Sequence, residues 1–195
     1  MVIDAALELC NRQCYESVSV DQIAAVAGIG PDDFLRYFDS KPAVFMSLTE
    51  DILRAVAASL GQISPHADPE EALLVAHTEV ITAIFEGHGI MAPQRLVMMG
   101  QVISITPELE ERACELRRRV LAAALAEWLG VEPTDRRVQQ AVTMWAAVAA
   151  GAYTARVNNQ PGYESQRDAE LPRRMIRWLT NAFTQIIGQS ARTGS

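Results

Sequence analysis

Apolar residues in this chain recur at spacings of three and four and almost never alternate. Ile3, Ala6, Leu7, Cys10 and Cys14 mark one face of an opening helix. Phe45, Leu48, Ile52, Val56, Leu60 and Ile63 mark a longer one, and Met175, Leu179, Ala182, Phe183 and Ile186 mark the last. β-Branched residues are scattered, so no strand is predicted.

Polar punctuation separates these stripes. Ser19 followed by Gln22 has the form of a capping box, opening a short helix that Gly28 stops. Gly30-Pro31 starts the next helix, with proline at a position whose N–H has no partner to lose. Ser40, Asp68-Pro69, Ala92-Pro93, Thr106-Pro107 and Pro133-Thr134-Asp135 open further helices, and Gly130 closes one. Asn158-Asn159-Gln160-Pro161-Gly162 reads as a loop, and the last helix is predicted from about Asp168 to Ile187. The result is an all-α chain of about nine helices, three short and then six of mostly greater length, divided near residue 50 into segments 1–50 and 51–195.

Composition narrows the class. The chain has 195 residues, 49% hydrophobic and 21% charged, enough to bury a core without disulfides or metal. Net charge is −7 and every base but Lys41 is Arg, so a global field for nucleic acid is absent and any such binding rests on a local patch. Cys10, Cys14 and Cys114 lack scaffold spacing, which fits a reducing cytoplasm; Cys10 and Cys14 are expected as small core residues rather than metal ligands. No signal peptide is expected, because Met1-Val2-Ile3 runs at once into Asp4. The eighteen uncharged residues between Arg137 and Arg156 are Ala-rich and hold two Gln, so they read as a buried helix rather than a membrane span. No Ser nucleophile motif, Walker loop or carboxylate pair is present, so neither catalytic residue nor cofactor is assigned. His66, His77 and His88 are treated as coincidentally spaced, and Arg117-Arg118-Arg119 as a solvated face.

The first fifty residues carry the most information. Two short helices meet at Ala27-Gly28-Ile29-Gly30, the layout of a helix-turn-helix. Ile23 and Ala24 brace the second helix, which runs from Pro31 to Tyr37 with Phe34 and Phe38 behind it. Ala5 to Leu9, Ser19 to Ala24, Ala27-Gly28-Ile29, Phe34, Tyr37-Phe38 and Ser40-Lys41 together resemble the tetracycline-repressor (TetR) family of bacterial regulators.

That resemblance implies an all-α homodimer with a DNA-binding head and a ligand domain, whose effector moves the heads apart and releases the operator. It implies phosphate contacts from Ser19, Tyr37 and Lys41, with Gly30, Asp32, Asp33 and Arg36 at the exposed end of the recognition helix. Asp32 and Asp33 either read cytosine or merely favour the helix N-terminus. The chain departs from the family at Gly30, Asp32-Asp33, Leu35 and Cys14, and begins inside a helix that a basic arm usually precedes. Residues 1–50 hold three bases (Arg12, Arg36, Lys41) against eight acids, a balance that weakens non-specific DNA affinity. Either a basic arm lies upstream of this start, or the head binds DNA poorly.

The second half resembles acyl-CoA-responsive members in Ile105 to Leu109, the Arg-rich helix that follows and Trp145-Ala146-Ala147. A pocket is placed at Met91, Arg95, Met98, Met99 and Trp145, with plain core packing and a surface Arg as the alternatives. Val142, Trp145, Ala149 and Ala152, with Met175, Leu179 and Phe183, form two stripes that serve either a dimer seam or internal packing; the resemblance favours the seam. A dimer sets the recognition helices roughly 34–36 Å apart, one turn of DNA. The expected function is a cytoplasmic, ligand-responsive repressor, with double-stranded operator DNA and a small apolar or acyl-CoA-like effector as partners. The alternative is a ligand sensor or protein-interaction module of the same fold whose acidic head has lost strong DNA binding.

Overall fold

The computed structural model describes residues 1–158 and 170–193; the expected loop residues Asn159 to Gly162 and the start at Asp168 lie outside them. Among the described residues there is no strand. The helices are α1 (Val2–Arg12), α2 (Val20–Ala27), α3 (Pro31–Tyr37), α4 (Lys41–Leu60), α5 (Pro69–Phe85), α6 (Pro93–Ile105), α7 (Pro107–Leu129), α8 (Arg136–Asn158) and α9 (Leu171–Thr193), with a 3-10 turn at Tyr15–Ser17.

The punctuation acts largely as its chemistry dictates. The Ser19 hydroxyl accepts from the Gln22 N–H at 3.1 Å, and the Gln22 amide oxygen accepts from the Ser19 N–H at 2.8 Å. Gly28 ends α2 at φ +71°, a left-handed conformation that a Cβ disfavours. Asp68 takes the N–H groups of Glu70 and Glu71 onto one carboxylate oxygen, satisfying two unpaired donors of α5. Ser40 precedes α4 but makes no side-chain cap bond. Pro31, Pro42, Pro69, Pro93 and Pro107 each sit in the first turn of a helix, where proline removes no helical bond.

One sequence expectation fails at the end of α1. Cys14 is exposed rather than part of the core. The helix stops at Arg12, Gln13 turns extended, and Tyr15 takes the buried position, meeting the Phe45 ring edge-on at 5.6 Å. The 3.6-residue period holds only while the helix lasts.

α4 is the spine. Val44, Phe45 and Leu48 bury its first half against the head, while Leu53, Val56 and Leu60 bury its second half among α5 and α7. α1 packs on both α2 and α6, so the head rests on the body through two helices, α4 and α6. The turn between α5 and α6 is tight. A Cβ on Gly89 would fall 2.5 Å from the backbone of Ile84, so only glycine fits there. Among the described residues no helix is long and apolar enough to cross a membrane.

Candidate DNA-binding head and ligand cavity

The buried side of α3 is Phe34, fully enclosed, with the Phe38 ring 5.8 Å away. Anchoring that side turns Asp32, Asp33, Leu35, Arg36 and Tyr37 outward, and Tyr37 is 75% exposed. Gly30 caps α3 without a side chain. Ser19, exposed at the start of α2, accepts its capping bond and keeps a hydroxyl proton for an outside acceptor. Ser19, Gly30, Asp32, Asp33, Arg36 and Tyr37 are all exposed, as is Leu35.

The head's three bases all have local partners. Arg12 pairs with Glu8 one turn away, and Arg36 lies 3.6 Å from Asp33. Lys41 is half-buried. Its Nζ donates to the Tyr15 carbonyl at 2.7 Å and the Val18 carbonyl at 2.8 Å, and lies 3.9 Å from the centre of the Tyr15 ring. Lys41 therefore stitches the 3-10 turn to α4 and has one N–H left for a phosphate.

Arg95 does not enter a pocket. It clasps Asp4 in a bidentate pair, Nε to Oδ1 at 2.7 Å and Nη2 to Oδ2 at 2.8 Å, tying α6 to α1. The Arg95 hydrogen bonds hold the Asp4 carboxyl below the usual carboxylate range.

A half-open cavity of about 310 Å³ lies among the helices of the body, at the lower end of ligand-pocket sizes. Thr49, Ile52 and Leu53 of α4, His77 and Ile81 of α5, and Met99, Ile103 and Ser104 of α6 form part of its wall. α7 contributes Glu110, Cys114 and Arg117, α8 contributes Trp145, Ala149 and Ala152, and α9 contributes Met175, Trp178 and Leu179. Alanine on α8 leaves the space that larger side chains would fill.

The polar groups of the wall are unequal. The Thr49 hydroxyl donates to the Phe45 carbonyl and the Ser104 hydroxyl to the Gln101 carbonyl, so neither proton is available to a ligand. The Trp145 Nε1–H donates to His77 Nε2 at 3.1 Å, which leaves the proton on Nδ1, 2.8 Å from the Leu73 carbonyl. Burial pushes the His77 pKa down to about 3, with the positive Arg117 acting in the same direction against the Leu73 hydrogen bond, so the imidazole is neutral. Arg117 is half-buried. Its Nη1 lies 3.7 Å from Cys114 Sγ, and among the described residues no carboxylate pairs with it. Glu110, two turns earlier on the same face of α7, is also half-buried and unpaired among the described residues.

Of the residues assigned to a pocket from sequence, Met99 and Trp145 line the cavity. Met91 is core, Met98 packs against the core, and Arg95 is on Asp4. Of those assigned to a dimer seam, Trp145, Ala149, Ala152, Met175 and Leu179 line the same cavity, Val142 is buried, and Phe183 packs on the core. Within the chain, α8 packs on α5, α7 and α9. Sequence reasoning missed His77, Glu110, Cys114, Arg117 and Trp178. The spacing of Glu110, Cys114 and Arg117 was the available signal, masked by two further arginines that are indeed exposed. Among the described residues no cluster of His, Cys, Asp or Glu is placed to hold a metal ion.

A helix-turn-helix head carried on a helical body with an apolar cavity is the architecture of a DNA-binding regulator. The profile of "Bacterial regulatory proteins, tetR family" matches residues 2–48. The chain is 30% identical to the MftR regulator of Mycobacterium tuberculosis, named for mycofactocin biosynthesis, over 78% of this chain and 76% of that protein. It is 31% identical to the HTH-type transcriptional regulator TcmR of Streptomyces glaucescens over 69% of this chain, and spans only 61% of that protein's length. The chain belongs to the tetR family of bacterial regulatory proteins. Its fold is similar to that of the Stenotrophomonas maltophilia repressor SmeT, with TM-score 0.59 and 16% identity over 96% of this chain and 87% of that one. It is also similar to Bacillus subtilis FadR in complex with stearoyl-CoA, with TM-score 0.56 and 18% identity over 95% of each chain. Thermus thermophilus FadR in complex with lauroyl-CoA gives TM-score 0.53 and 16% identity over 95% of this chain and 91% of that one.

Proposed function

We propose that this chain is a cytoplasmic, ligand-responsive transcriptional repressor. It binds a pseudo-palindromic operator as a homodimer and lets go when an apolar or acyl-type effector fills the cavity. Residues 1–50 act as the DNA-binding unit, with Ser19, Arg36 and Tyr37 against the duplex and the last free N–H of Lys41 on a phosphate. The observation that carries this reading is the double duty of α6. Met99 and Ile103 are in the cavity wall, and Arg95 on the same helix grips Asp4 of the head. An occupant that displaces α6 therefore acts on the head through a bidentate link. The ligand shifts the population only as far as it favours the arrangement that cannot hold DNA. The acyl-CoA complexes of the two FadR structures support an acyl-type effector.

The test is retention of sheared genomic DNA on the immobilised protein, with and without lauroyl-CoA. Enrichment of a discrete fragment, lost on adding the compound, is expected. A fragment that stays bound at every concentration removes acyl-CoA as the effector. The local partners of Arg12, Arg36 and Lys41 favour a second reading, a ligand sensor of the same fold whose head does not hold DNA. No retained fragment even at low salt selects it.

A further inference from the structure

We infer that the cavity is built for an apolar monocarboxylate, a free acid whose carboxylate meets Arg117 while Glu110 turns away a second acid. This rests on the cavity being the effector site and refines what occupies it. Among the described residues of the cavity wall, Arg117 is the one cation and Glu110 the one carboxylate; His77 is neutral and both its nitrogens are taken. Thr49 and Ser104 have given their protons to helix carbonyls. Among the described residues, a ligand anion thus finds its charged donor at Arg117. The guanidinium meets a carboxylate through two parallel N–H groups, the pairing Arg95 already makes with Asp4.

The two charges lie seven residues apart on α7, an axial rise of roughly 10 Å. That is comparable to an extended ten-carbon chain. Ile103, Trp145 and Met175 of the same wall are apolar. A chain with its acid at Arg117 therefore directs its methyl end toward Glu110, where a second carboxylate would be repelled. At the acyl end a thioester presents a neutral carbonyl to Arg117, where the free acid presents a carboxylate that the guanidinium can pair through two N–H groups. Free acid is thus favoured over acyl-CoA.

Calorimetry or tryptophan fluorescence on the purified full chain tests this without DNA, using decanoate, 1-decanol, decanedioate and decanoyl-CoA. Decanoate is expected to bind about 10- to 100-fold tighter than the alcohol, the range of a charged hydrogen-bonded contact. Arg117→Gln should erase that preference and Arg117→Lys should keep part of it. Decanedioate should bind more weakly than decanoate, and Glu110→Gln should narrow that gap. The alcohol matching the acid in the wild-type chain, or decanoyl-CoA binding more tightly than decanoate, overturns the free-acid assignment while leaving the cavity as effector site. Binding of none of the four overturns both.

Discussion

His77 shows how one side chain sets a property of the whole chain. In the unfolded chain its imidazole takes a proton near its ordinary pKa of 6.5; folded, it resists until about pH 3. Between those values the unfolded state binds more protons, so acid favours unfolding. The stabilisation is complete above about pH 6.5 and is lost as pH falls toward 3, at a slope approaching roughly 1.4 kcal/mol per pH unit. The urea midpoint is expected to drop between pH 7 and pH 4, and to drop less steeply in His77→Gln. Equal slopes in the two proteins would mean that other groups govern acid stability. Lys41 is the opposite case, a cation assigned outward from the family pattern whose ammonium sits mainly on the head's own carbonyls. Its sequence neighbours gave no hint of this, because both acceptors are backbone atoms more than twenty residues away.

Most of the elements were legible because their boundaries are local chemistry. Ser19-Gln22, Gly28, Pro31, Asp68 and Gly130 act within four residues of themselves, and all five mark the boundaries expected of them. Which way a helix faces is not local. The stripe Val142 to Ala152 is equally consistent with a seam and with a core, and its packing on α5, α7 and α9 is set by residues far from it in sequence. The Asp4–Arg95 clasp joins residues 91 apart and left no trace in periodicity. Its role belongs to α1 and α6 together. Asp4→Ala and Arg95→Ala are each expected to leave ligand affinity within about threefold. The factor by which ligand weakens operator binding should fall at least about fivefold, within the usual range of coupling energies. An unchanged factor, measured by operator affinity with and without saturating ligand, would reduce the clasp to a surface ion pair.

At the scale of the molecule, charge limits how DNA is held. Residues 1–50 carry three bases and eight acids in a chain of net charge −7. In the proposed dimer, two heads with Arg36 and Lys41 each facing the duplex would neutralise at most four phosphates. The slope of log affinity against log salt should then be no steeper than about −4, at about −0.9 per phosphate. A slope well beyond that, from a salt titration with a retained fragment, would show bases outside the heads on the DNA.

The inward turn of Trp145, Ala149, Ala152, Met175 and Leu179 has a use in sensor engineering. On the proposed function, the inner sides of α8 and α9 help to shape what the cavity accepts. Bulkier residues at Ala149 and Ala152 would shorten the accepted molecule, and a trimmed Met175 would lengthen it. On that function, a library confined to those three codons is expected to retune the chemical response while leaving the proposed recognition helix α3 as it is.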